Sequence, residues 1–61
     1  MTYSELKRQL KKNGCYWLRE GGNHEIWYSP ITKKQFPVGR HNTEEVRKGT
    51  LQKIKDQSGV K

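Results

Sequence analysis

The stretch Cys15-Tyr-Trp-Leu-Arg-Glu-Gly-Gly-Asn-His-Glu-Ile-Trp-Tyr-Ser29 decides how this chain folds. Its two arms, 15–20 and 24–29, are short, rich in aromatic side chains and β-prone. Between them stands Gly21-Gly22-Asn23, where positive φ costs little. Two β-prone arms around such a turn predict a β-hairpin. His24 sits at the mouth of the second arm. Parity along that arm puts Ile26 and Tyr28 on one face and Glu25 and Trp27 on the other. The pattern alone leaves open which face is core.

On the N-terminal side, Met1 to Asn13 reads as a helix. Thr2 and Glu5 have capping-box spacing, with Met1 and Leu6 placed for a hydrophobic staple. Tyr3, Leu6 and Leu10 share one face, and Lys7, Arg8, Lys11 and Lys12 take the rest. Asn13-Gly14 is a stop.

On the C-terminal side, Pro30 ends the hairpin and Ile31 to Lys34 is a basic connection. Gln35 to Val38 is a third strand, and its Pro37 suits an edge or a strand end. Gly39 to Asn42 turns. Asn42 with Glu45 has cap-like spacing, and Glu44 and Glu45 suit a helix N-terminus. Val46, Leu51 and Ile54 can share a buried stripe, but Gly49-Thr50 interrupts it. Either one helix runs from about 43 to 57, or a short turn precedes a helix capped by Thr50. Gly59 closes it. The expected architecture is α+β, in the order α-β-β-β-α. A three-stranded antiparallel sheet carries both helices on one face, which buries their stripes most economically.

A chain of 61 residues supports one domain, residues 1–61. With 30% hydrophobic residues the core is thin and has no room for a deep pocket. Cys15 is the single cysteine, so no intrachain disulfide forms, and one cysteine with two histidines does not make a closed zinc set. Support from a partner subunit is the remaining expectation. No apolar run approaches the roughly 20 residues of a membrane span. The amphipathic, polar N-terminal segment does not read as a signal peptide, and the lone cysteine suits a reducing, cytoplasmic setting.

Thirteen Lys and Arg against six Asp and Glu give a formal charge of +7. That field favours a polyanion: nucleic acid first, an acidic protein surface second. Histidine is the side chain that trades a proton near neutral pH. His24 follows glycines that permit close backbone approach and precedes a rigid strand. His41, beside Arg40, is the second candidate, better explained as a loop residue. No nucleophile elbow, P-loop or metal motif is present, and Glu20, Glu25, Glu44 and Glu45 make no ligand set. No cofactor is expected. A histidine working on a polyanion without metal points to RNA, whose 2′-OH is an internal nucleophile. Trp17, Trp27 and Tyr28 are candidates for stacking on unpaired bases or for the core.

Arg19, two spacers and Gly22-Asn23-His24 resemble the R-x-x-G-S-H stretch of HicA-type toxins, mRNA interferases of bacterial toxin–antitoxin pairs. Pro30, Arg40-His41, Lys48-Gly49-Thr50-Leu51, Ile54 and Gly59 follow in matching order, so the resemblance covers the chain from Leu6 onward. Asn23 departs from the usual serine, and the Gly39-Arg40 spacing before His41 departs too. The resemblance implies a fold like the double-stranded-RNA-binding domain and a catalytic His24. It further implies metal-independent mRNA cleavage that blocks translation, and a HicB-type antitoxin that covers the active face. Arg19, Gly22, Asn23, Arg40 and His41, with Lys33 and Lys34, are then the candidate RNA contacts. A non-catalytic RNA-binding module, or an adaptor for an acidic protein, would share the length, charge and element order.

Overall fold

The computed structural model describes all residues, Met1–Lys61. The order is α1 (Tyr3–Lys12), β1 (Tyr16–Gly21), β2 (His24–Ser29), β3 (Lys34–Gly39) and α2 (Lys48–Ser58). The strands form one antiparallel sheet, β1-β2-β3, with the helices against it. The expected α-β-β-β-α architecture is observed.

The capping box forms. The Glu5 N–H donates to the Thr2 hydroxyl at 3.3 Å, and the Thr2 N–H donates to the Glu5 carboxylate at 2.9 Å. These bonds start α1 at Tyr3 by satisfying amides that the first turn leaves free. Met1 does not pair with Leu6 in burial: it is exposed and Leu6 is buried.

β1 and β2 meet through a two-residue turn, Gly22-Asn23, because Gly21 already pairs with His24. Gly22 has φ 65°, the positive value such a hairpin turn requires. One irregularity lies inside β1. Trp17 pairs with Trp27 but Arg19 pairs with Ile26, so Leu18 is an extra residue, a β-bulge.

The helices cover the face that carries Glu25, Trp27 and Ser29 of β2 with Phe36 and Val38 of β3. Leu6 and Leu10 from α1, Val46, Ile54 and Val60 complete the core with Cys15, Trp27, Phe36 and Val38. Trp27 is therefore core and cannot stack on a base. The C-terminal end of α2 is tied to the β2–β3 turn. The buried Ser29 hydroxyl donates to the Ser58 carbonyl and the Thr32 hydroxyl to the Gln57 carbonyl, both at 2.5 Å. Carbonyls that a helix end leaves unpaired are satisfied in this way.

The last helix matches neither sequence alternative. It begins at Lys48, with Arg47 as an N-cap that lacks a side-chain bond, and Thr50 lies in its first turn. Residues 42–46 instead run beside the start of the chain. The Tyr3 and Ser4 amides donate to the Glu44 and Asn42 carbonyls at 3.0 and 2.9 Å, the Val46 amide donates to the Met1 carbonyl at 2.9 Å, and Thr2 bridges to Glu45. Asn42 and Glu45 thus serve α1 rather than capping α2. Free amides of α1 outcompete local helix formation there, a contact between residues about forty positions apart.

Candidate nucleic-acid interface

Helices leave the other sheet face open. Cross-strand register places Tyr16, Arg19, Ile26, Tyr28, Gln35 and Pro37 on it, with His24 at one end. None of these is buried. The bulge at Leu18 decides the membership of Arg19. Strict alternation from the helix-side Trp17 would have put Arg19 on the covered face. The extra residue turns it to the open face, two positions along β2 from His24.

His24 is exposed and opens β2. Its neighbours across the sheet are Gly21 on β1 and Gly39 on β3, so no side chain rises beside it from either partner position. Other groups use that space. A Cβ on Gly21 would meet the Ile26 side chain at 2.5 Å, and one on Gly39 would meet the Tyr3 ring at 2.8 Å. Gly39→Ala must push an aromatic ring aside. Its expected cost is about 1–3 kcal/mol, read as a lower urea midpoint.

Arg40 braces the turn that precedes His24. Its guanidinium donates to the Glu20 carboxylate and to the Gly22 carbonyl, the latter at 2.6 Å. In the free protein Arg40 is thus committed to the hairpin. Gly22, Asn23, His24 and Arg40 gather at one end of the sheet. His41 follows, exposed, with its carbonyl accepting the Glu44 amide at 3.1 Å. Lys33 and Lys34 lie at the opposite end, where Lys34 pairs with Ser29. Lys33 has φ 59° in that turn. The sequence candidates therefore split into two groups separated by the length of β2.

Arg19 donates to the Gln35 amide oxygen at 3.2 Å, across the central strand. Its partner is neutral, so its charge is uncompensated on a face with no carboxylate in its register positions. Tyr16 and Tyr28 form an aromatic pair on this face, with centroids 5.5 Å apart and planes tilted by 43°. Tyr16 and Gln35 escaped the sequence reading, although the parity of β1 and β3 carried the signal. Trp17 stands on the helix side at the sheet edge and is half exposed.

Behind His24, on the covered face, Glu25 anchors a polar cluster. The Lys7 ammonium lies 3.1 Å from its carboxylate and donates to the Asn42 side-chain oxygen at 2.6 Å, and the Trp27 indole N–H donates to Glu25 at 3.0 Å. Burial pushes the Glu25 carboxyl up, but the Trp27 N–H, the Lys7 bond and charge, and the Arg40 charge together hold it below its ordinary value of 4.5. A carboxyl depressed by folding contributes stability above its unfolded pKa and loses it as pH falls through the folded pKa. Urea titrations from neutral to acid pH should show Glu25→Gln less stable than the parent at neutrality. That difference should shrink below about pH 4.5, and a constant difference would refute the assignment. Exposed Glu5 is also lowered, first by the Thr2 amide, and the comparison with Glu25→Gln cancels its share.

No group of three or more His, Cys, Asp or Glu side chains is placed to hold a metal ion. No helix is long and apolar enough to cross a membrane. Residues 3–60 match the family model described as the HicA toxin of bacterial toxin–antitoxin systems. The chain belongs to the HicA toxin family. It is thereby the toxin member of a bacterial toxin–antitoxin pair, with a cognate antitoxin as partner. Comparison with curated proteins and with solved structures finds no match. For a HicA-family chain, the Arg19-to-His24 motif now has a geometry. The bulge and the two-residue turn bring Arg19 and His24 to the same open face.

Proposed function

We propose that this HicA-family chain is an mRNA endoribonuclease that works without metal, with His24 as general acid/base. It acts as one domain in the cytoplasm, blocks translation, and is held in check by a HicB-type antitoxin. The observation that supports this reading most is the placement of His24: exposed, between two glycines, on an open face with an arginine and no carboxylate.

His24 takes the proton of a ribose 2′-OH. The 2′ oxygen attacks the adjacent phosphorus, and the bond from phosphorus to the 5′ oxygen breaks. A proton returns to that leaving oxygen, giving a 2′,3′-cyclic phosphate and a free 5′-OH. Cations stabilise the charge gathering on the equatorial phosphate oxygens. Arg19 stands on the same face for this. Gly22 and Asn23 keep the turn low beside the phosphate, and Arg40 holds that turn. His41, Lys33 and Lys34 contact the RNA backbone farther away.

An RNA oligonucleotide incubated in EDTA tests the reading. Cleavage is expected, with a cyclic phosphate at the new 3′ end. The same oligonucleotide carrying a single 2′-deoxyribose at the cut position is expected to survive there. A 2′-deoxy substrate cut as fast as RNA would overturn the mechanism. RNA bound but never cut would leave a binding module.

A further inference from the structure

We propose that the open sheet face is a platform for unpaired RNA, with a base stacked on the Tyr16–Tyr28 pair and the strand running along β2 to His24. The proposal rests on the ribonuclease reading for the identity of the reacting end, and it names the form of RNA the site takes.

Three features carry it. First, the face is open, and aromatic at the end away from His24. Tyr16 is about half exposed, and Tyr28 is only partly covered by its tilted neighbour. Such rings offer a π surface that any base can stack on, provided the base is not already stacked inside a duplex. Second, the charge complements a polyanion. Arg19 lies between the tyrosines and His24 along the register and is bonded only to neutral Gln35. Third, the spacing suits a strand rather than a single nucleotide. Tyr28 is four residues beyond His24 on one extended strand, a span of about 13 Å. A flanking base can occupy the tyrosines while the scissile phosphate lies at His24. A duplex would be held through its backbone and 2′-OH groups and would leave the rings idle.

This sorts the aromatic residues by work. Trp27 and Phe36 build the core, and Tyr16 and Tyr28 read bases. The face selects single-stranded message, unpaired loops included, with Arg19 as the phosphate contact between stack and cut.

Binding is tested in the His24→Ala background, where the RNA stays intact. The probes are a fluorescein-labelled unstructured RNA of about twelve nucleotides and a perfect RNA duplex of the same length, read by anisotropy. The single strand is expected to bind more tightly. Tyr16→Ala with Tyr28→Ala should weaken it by about 5- to 100-fold and leave duplex binding nearly unchanged. Tyr16→Phe with Tyr28→Phe should retain the affinity, because the ring and not the hydroxyl does the stacking. This pair keeps the test valid if the alanine variant melts. Arg19→Ala should lower the slope of affinity against salt by about one. Preference for the duplex, or affinity unmoved by the tyrosine-to-alanine changes in folded protein, would overturn the proposal and give the face to a protein partner. Because binding is measured without cleavage, an intact platform on a protein that cuts no RNA would sink the ribonuclease reading alone.

Discussion

His24→Ala is expected to reduce RNA cleavage by about 10²- to 10⁴-fold, the usual worth of a positioned acid/base. RNA affinity and the thermal midpoint should stay close to those of the parent. The physical reason is the separation of roles around this residue. His24 is exposed and no part of the buried cluster, so its removal opens no cavity. The measurement is single-turnover cleavage of a labelled RNA with saturating protein, beside a melt of both proteins. Cleavage within a few-fold of the parent would remove His24 from the chemistry. The pH profile supplies an independent check. A rate carried by an imidazole acid/base bends between about pH 5 and 8, whereas one that left deprotonation of the 2′-OH to hydroxide would climb about tenfold per pH unit throughout.

The second large effect concerns the fold. Trp27→Ala is expected to cost about 3–5 kcal/mol. At ordinary stabilities per residue a chain this short holds only about 3–9 kcal/mol. The variant should therefore be largely unfolded at 37 °C, seen as loss of far-UV circular dichroism and of the cooperative urea transition. Trp27 is 2% exposed at the centre of the central strand, between Trp17 and Phe36. Its loss leaves a cavity and also removes the indole donor to Glu25. Trp17→Ala serves as the control. Trp17 is 49% exposed, so its removal should cost much less. Equal effects of the two changes would contradict the assignment of the covered face.

Much of this molecule is legible locally. Thr2 and Glu5 announce α1, because a capping box joins groups three residues apart. Gly21-Gly22-Asn23 announces the hairpin, because its residues accept positive φ, although the pairing of Gly21 with His24, which shortens the turn to Gly22-Asn23, is not legible in it. The strongest miss is the segment 42–46. Asn42, Glu44 and Glu45 carry helix-start chemistry, yet they supply acceptors to α1 and a bridge to Thr2. No local pattern contains that competitor. Arg40 is a candidate RNA contact through the family resemblance, and in the free protein its guanidinium holds Glu20 and Gly22. Nothing near Arg40 in the chain points to those partners.

By itself the sequence determined the element order, the basic charge and a histidine at the mouth of β2. Each depends on composition or on residues within a few positions of one another. Tertiary structure alone decided which sheet face the helices cover, and with it the fate of Trp27 and Tyr28. It alone set the bulge at Leu18, which carries Arg19 to the face of His24. Strand parity is equally satisfied with either face inward. The choice is made by Leu6, Leu10, Ile54 and the Lys7–Glu25 pair, which reach the sheet from distant points in the chain.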